Sequence, residues 1–227
     1  MKELYEVLEN LQNHVVYIST PAGSGTGFLV ASSEGEKVIG IATAWHVVNY
    51  AVEWDQPIKV KHHITGKTIL LKEGNRSIHW DDATDSALIR LPKGQLPLPD
   101  EVLPLFEKKS HKKAGVELGW CGFPSVYPTQ LCFFSGRVSA WLAEREAYLV
   151  DGVVINGVSG GPTFDRFSEL VGFVTAYIPN RATGKALPGV GLIRSITPYI
   201  DWFDKLKPVP PESVSDSPLP KETKVGE

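Results

Sequence analysis

Short apolar runs recur about every 8 to 15 residues along the chain, and glycine, proline, asparagine or aspartate separates them. Such spacing is typical of an all-β barrel or sandwich and disfavours β-α-β units. The pattern predicts two sets of six strands. The first set lies near 14–20, 25–31, 36–43, 57–63, 67–72 and 87–91, and the second near 115–121, 130–141, 146–155, 162–165, 169–178 and 189–194.

Two segments show helical periodicity instead. Apolar residues at helical intervals predict an N-terminal helix over 2–12 and a C-terminal helix over 197–206. We expect the first helix to dock on the barrel or to serve a partner. Residues 92–114 form a proline-rich, charged connector, and residues 208–227 have almost no apolar content, which predicts a disordered tail.

These boundaries predict one folded domain over residues 1–207. It contains an N-terminal barrel over about 14–91 and a C-terminal barrel over about 115–194. A chain of 227 residues with 42% hydrophobic residues, 21 glycines and 17 prolines suits one compact fold of this size.

Composition also excludes several classes of function. A net charge of −3 and a pI near 6.1 argue against a nucleic-acid partner. No segment approaches a membrane span, and the first residues lack the apolar core of a signal peptide. Cys121 and Cys132 are the only cysteines and match no metal-ligand spacing. We therefore expect a cytoplasmic protein without a metal or cofactor.

The candidate chemistry begins at Ser159, which glycines frame on both sides in 157–161. Glycines allow a sharp turn and a close approach to a bound carbonyl, so that neighbouring N–H groups can converge on an oxyanion. A tight surface turn has the same local pattern. All six histidines precede Ser159, which disfavours an α/β-hydrolase esterase, in which the histidine follows the serine.

His46 is the best candidate for a general base, because an apolar strand runs into it and a strand end holds an imidazole firmly. A histidine satisfied by backbone groups in a turn is the alternative, and His79 is the one rival. His62 and His63 lie in a polar strand that we expect to face solvent.

Asp85 is the candidate acid, since it directly precedes the alternating strand near 87–91. A carboxylate there can accept the imidazole N–H and set its tautomer. Asp81 and Asp82 are alternatives, each readable as an ordinary turn acid.

The segments around these three residues resemble trypsin-like (chymotrypsin-fold) serine proteases. Residues 43–46 are similar to their T-A-A-H motif, 85–88 to D-I-A-L and 157–162 to G-D-S-G-G-P. Three further segments also match in order. They are 24–30, similar to the G-S-G-F strand of the HtrA-type branch, 170–175, similar to the strand that pairs with substrate, and 188–190, similar to a wall of the specificity pocket.

This resemblance covers about residues 15–206 and implies two packed six-stranded antiparallel β-barrels closed by a C-terminal helix. It implies His46 as general base and acid, Asp85 as orienting acid and Ser159 as nucleophile. The N–H groups of Gly157 and Ser159 would form the oxyanion hole. Thr175 matches the position whose hydroxyl supports the aspartate.

The resemblance also implies the substrate-binding residues. Val153 takes the position at the floor of the primary pocket, with Val154 and Gly189 nearby, and Thr175 and Ala176 belong to the strand that pairs with substrate. Because none of them is charged, we expect a preference for apolar residues at the cleavage position.

Two positions depart from the family pattern. Trp45 replaces a small residue, so the packing under the imidazole must differ. Val158 replaces the aspartate that pairs with a new N-terminus in zymogens, so the oxyanion loop must be ordered in another way.

The sequence thus predicts a serine endopeptidase with a polypeptide substrate. The alternative is a quiet or conditionally active peptide-binding module of the same fold. We expect neither an appended PDZ domain nor a pro-segment, and we therefore expect a protein partner or an oligomeric contact to order the Gly157 loop.

Overall fold

The computed structural model describes residues 2–31, 39–92, 94–97, 103–106, 111–179, 186–203 and 205–206. The predicted tail over 208–227 and parts of the connector lie outside these residues. The described chain is mostly β, with a half-barrel sheet followed by a closed barrel, which confirms the predicted fold class.

The N-terminal half is a seven-stranded antiparallel sheet in the order β5-β4-β1-β2-β3-β7-β6. Its strands are β1 (Val15–Thr20), β2 (Gly23–Ala31), β3 (Ile39–Ala44), β4 (Ile58–His62), β5 (Thr68–Leu71), β6 (Ser77–Asp81) and β7 (Ser86–Leu91). The prediction of a six-stranded barrel missed β6. That edge strand pairs with β7 alone and buries none of its side chains fully, so it carries no strong alternation.

The C-terminal half is the closed six-stranded barrel that the sequence predicts, in the order β10-β13-β12-β11-β8-β9. Its strands are β8 (Glu117–Gly122), β9 (Cys132–Leu142), β10 (Ala147–Asp151), β11 (Pro162–Phe164), β12 (Leu170–Pro179) and β13 (Ala186–Ser195). Strand β10 ends four residues earlier than predicted. A side chain at Gly152 would collide with the Trp120 ring, and the chain turns away there.

Both predicted helices are present, as α1 (Leu4–Leu11) and α3 (Thr197–Phe203). The apolar face of α1 joins the same hydrophobic cluster as barrel residues such as Phe164 and Leu170, so this helix docks on the barrel. Tyr199 of α3 is fully buried, and its hydroxyl donates to the carbonyl of Thr43 in β3 at 2.7 Å. The C-terminal helix thereby ties the two halves together.

A third helix, α2 (Trp45–Glu53), was not predicted. It buries Trp45, Val48 and Ala51 at intervals of three residues, a spacing that the preceding apolar strand obscures. No helix among the described residues is long and apolar enough to cross a membrane.

His62, at the end of β4, is buried rather than facing solvent as expected, with 2% of its surface exposed. Its Nε2 lies 2.9 Å from the carbonyl oxygen of Asn13, and its Nδ1 accepts the N–H of Thr65 at 3.2 Å. This pattern suits the neutral ring, with the proton on Nε2. Burial lowers the pKa of His62 below 6.5, and the bond to Asn13 opposes the shift.

Because the folded pKa lies below the unfolded value, His62 stabilises the fold fully above about pH 6.5, and this contribution is lost as the pH falls. We predict that the free energy of unfolding, measured with urea, drops between about pH 7.5 and about pH 5.5. His62→Gln, which can still donate to Asn13, should flatten this dependence. Burial also lowers the pKa values of His63 and His79, so part of the slope should persist. An unchanged slope in His62→Gln would contradict the assignment.

Candidate active site

His46 is the second residue of α2, directly after β3 ends at Ala44. The prediction placed it at a strand end, and the structure corrects this to the first turn of a helix. The imidazole remains accessible, with 45% of the side chain exposed. The preceding Trp45 points into the N-terminal core and stacks on Trp80 at 4.9 Å between ring centroids, which is how the fold accommodates this bulky residue.

Asp85 holds the start of α2 from the neighbouring loop. Its carboxylate contacts His46 twice, with Oδ2 at 2.8 Å from Nδ1 and Oδ1 accepting the backbone N–H at 2.9 Å. Its own carbonyl accepts the N–H of Trp45 at 2.9 Å. Ala44 offers no side-chain cap, so Asp85 satisfies N–H groups that a helix start leaves open.

The same contacts orient the imidazole. An ionised carboxylate can only accept, so Nδ1 carries a proton, and in the neutral ring Nε2 then keeps its lone pair. Asp85 has a positive φ of 52°, a left-handed conformation that aspartate tolerates better than most residues. Such backbone geometry is common where a side chain must be aimed.

Arg194 of β13 reaches the Asp85 loop from the other half of the molecule, and the sequence reading did not identify it. Its guanidinium donates to the carbonyl of Ala83 at 3.1 Å and to that of Arg145. Burial lowers the pKa of Arg194, while the nearby carboxylates of Asp85 and Asp81 act in the opposite direction. The sequence feature that could have identified Arg194 is its position as a single cation in the otherwise apolar segment 190–194.

Ser159 lies in the turn before β11, against the strands that lead to His46. Its carbonyl accepts the N–H of Thr26 at 2.8 Å. Its hydroxyl donates to the carbonyl of Thr175 at 3.2 Å, and no hydrogen bond joins it to His46. The Thr175 hydroxyl donates to Leu192 at 3.4 Å, not to Asp85. Its predicted support of the aspartate is therefore wrong, because the side chain turns toward β13.

The turn around Ser159 leaves two N–H groups free. Gly157 has a φ of +91°, and a Cβ there would lie 2.3 Å from the carbonyl oxygen of Phe123, so only glycine fits. Within the described part of the chain, the N–H groups of Gly157 and Ser159 have no acceptor. These donors are available to an oxyanion.

The predicted pocket residues differ in exposure and surroundings. Val153 is 49% exposed, and its carbonyl accepts the indole N–H of Trp120 at 3.1 Å. Val154 is buried against Gly191 in the barrel core. A Cβ at Gly189 would meet open space. Ala176 pairs with Leu192 in the β12–β13 ladder. The apolar pocket thus stays a prediction.

Other chemistries find little support in the described residues. They contain no group of three or more histidine, cysteine, aspartate or glutamate side chains arranged to hold a metal ion. Both cysteines are free, and burial raises the pKa of Cys121, which makes it a poor nucleophile.

Comparison with known proteins identifies the family of the chain. A sequence model of the trypsin-like peptidase domain matches residues 25–173, and the chain belongs to that family. A search of curated proteins found no significant match.

Solved structures share the fold at low sequence identity. The inactive form of the Rv3671c protease from M. tuberculosis aligns with a TM-score of 0.62 and 19% identity over 88% of this chain and 92% of that one. The serine endoprotease from Yersinia pestis gives 0.66 and 20% over 90% and 66%. Deg5 gives 0.64 and 22% over 88% and 94%. The resemblance to trypsin-like proteases is confirmed by the family match, and these structures show that the fold is shared.

A substitution at Gly160 can test how closely the Ser159 turn packs against the N-terminal sheet. A Cβ at Gly160 would lie 2.1 Å from the carbonyl oxygen of Thr26 and 2.2 Å from Oγ1 of Thr43, and its φ is +81°. We predict that Gly160→Ala lowers the free energy of unfolding by more than about 2 kcal/mol. Gly74→Ala, which meets no atom within 4 Å, should change it by less than about 0.5 kcal/mol in the same urea titration. Equal stability of the two variants would contradict the tight seating.

Proposed function

We propose that the protein is a serine endopeptidase that cleaves polypeptides through an acyl-enzyme on Ser159. The observation that carries the proposal is the pair formed by His46 and Asp85 at 2.8 Å, in a chain of the trypsin-like peptidase family. The glycine-framed turn with two free N–H groups supports it further.

The proposed reaction begins when Nε2 of His46 removes the proton of the Ser159 hydroxyl as Oγ attacks the scissile carbonyl carbon. The resulting oxyanion takes hydrogen bonds from the N–H groups of Gly157 and Ser159. The imidazolium then protonates the leaving amine, and the C–N bond breaks. In the second half, His46 activates a water that attacks the ester, and the proton returns to Ser159. Asp85 stabilises the imidazolium in both halves.

The apolar preference at the cleavage position is part of the proposal. Val153 has the exposure that a substrate contact requires, and neither it nor Val154 or Gly189 carries a charge. A pocket without charge provides no opposite charge to offset the desolvation cost of burying the cation of Lys or Arg.

Conditional activity is the second candidate, and one contact favours it. The Ser159 hydroxyl is engaged by the Thr175 carbonyl, so it must turn toward His46 before it can react. We propose that substrate, a protein partner or an oligomeric contact brings about this change. A chain in which the Ser159 hydroxyl stays bound to Thr175 would act as a peptide-binding module.

The free cysteines support a reducing compartment, and we propose the cytoplasm as the location of the protein.

The nucleophile can be tested with a fluorophosphonate probe and mass spectrometry. We expect covalent labelling at Ser159, its complete loss in Ser159→Ala, and its near loss in His46→Ala. In Asp85→Asn the labelling rate should fall by a factor on the order of 10⁴, because the imidazole takes the wrong tautomer. Ser125→Ala, on a neighbouring loop, serves as the serine control. Failure to label Ser159 under every condition would favour the peptide-binding module.

Substrate preference can be read from the products of unfolded casein and of a peptide library. Cleavage should follow apolar residues and be absent in Ser159→Ala. Appreciable cleavage after Lys or Arg would contradict the apolar pocket. Rapid turnover by the purified monomer would contradict the need for a partner, whereas turnover that rises with an added polypeptide activator would support it.

A further inference from the structure

Thr26 of β2 is fully buried where the sheet meets the barrel, and it contacts the Ser159 turn directly. Its hydroxyl donates to the carbonyl of Gly157 at 2.8 Å and accepts the N–H of Phe123 at 3.0 Å. Its own N–H donates to the carbonyl of Ser159 at 2.8 Å. Its carbonyl accepts the Thr43 hydroxyl at 2.7 Å. All polar groups of this residue are therefore used.

The direction of the hydroxyl is determined by its neighbours. The N–H of Phe123 can only donate, so it takes a lone pair of the Thr26 oxygen and leaves the hydroxyl proton for the Gly157 carbonyl. Both bonds lie in a water-excluded contact. A side chain at Gly122 would come within 2.7 Å of the Thr26 oxygen and 2.9 Å of the Val158 Cα.

Planar peptides explain why this contact matters for the two free N–H groups. Fixing a carbonyl fixes the N–H on the other side of the same peptide. The N–H of Ser125 holds the carbonyl of Asn156 at 2.8 Å, and the N–H of Gly161 holds that of Val158 at 2.9 Å, which orients the N–H groups of Gly157 and Ser159. The peptide between these two is held at both of its polar groups. Its N–H, on Val158, donates to the carbonyl of Ile155 at 3.2 Å, and its carbonyl, on Gly157, accepts the hydroxyl of Thr26, the one side chain that binds this peptide among the described residues.

We propose that Thr26 is the positioning residue that keeps the Gly157–Ser159 turn in its oxyanion-binding conformation. The inference rests on the proposed function and extends it. Val158 is apolar and fully buried, so its side chain can form no ion pair that would order the loop. The hydroxyl of Thr26, which belongs to the N-terminal sheet, orders the loop instead. A rotation of the Gly157–Val158 peptide must then break the bond between Thr26 and Gly157.

The test compares Thr26→Val, which keeps the shape and removes the hydroxyl, with Thr26→Ser, which restores it. Thr163→Val is the matched control, because Thr163 is also fully buried in a strand and its hydroxyl has no partner among the described residues. The readouts are kcat and KM on a casein-derived peptide, and hydrogen–deuterium exchange at residues 156–160.

We expect Thr26→Val to lower kcat by a factor on the order of 10², with KM nearly unchanged, since the loss of one oxyanion donor has an effect of this size. Exchange at 156–160 should rise in the same variant. The kcat of Thr26→Ser should stay within a few-fold of the wild-type value. Thr163→Val should match the wild type in both the kinetics and the exchange. If Thr26→Val does not fold, the same readouts are taken on Thr26→Ala, where a water molecule can occupy the vacated space.

Wild-type kcat and wild-type exchange in Thr26→Val would overturn the proposal. A lower melting temperature with unchanged kcat would also overturn it, because it would show a purely structural role. If the wild-type chain hydrolyses nothing, the proposed function fails, whereas the exchange measurement still decides whether Thr26 holds the turn.

Discussion

The contact between the N-terminal sheet and the Ser159 turn is the constraint on which the site depends. Thr26 and Thr43, both fully buried, supply hydroxyls that join β2, β3 and the turn. Gly160 fits against the same two residues, and no larger residue could. Buried hydrogen bonds of this kind are costly to leave unmade, so the two halves can pack in few ways. The position of Ser159 relative to β3 follows from that packing.

A second set of contacts places Asp85 and His46. Asp85 caps the helix that carries His46 and binds its imidazole, so one carboxylate serves folding and orientation together. Arg194 holds the loop before Asp85 from the barrel side. The pair is thus supported by both halves, as is the serine turn. A site assembled between two halves is sensitive to small shifts of one half against the other.

Much of the fold could be predicted because its signals are local. Short apolar runs bounded by turn residues predicted twelve of the thirteen strands in the described part of the chain, and helical spacing predicted α1 and α3. The two elements that were not predicted, β6 and α2, also have a local explanation. Strand β6 buries no side chain fully, and α2 follows an apolar strand without a break, so neither pattern stood out. The three candidate residues were identifiable because each sits at the edge of an apolar run or between glycines.

The sequence by itself determined where most strands lie along the chain, the family and the residue types available for chemistry. Tertiary structure decided which hydroxyl meets which carbonyl. Thr26 and Gly157 are 131 residues apart, and Ser159 donates to Thr175 on the neighbouring strand β12, 16 residues away. Such partners depend on the path of the whole chain, because a hydrogen bond needs its two atoms within about 3 Å and a periodic pattern carries no information at that scale.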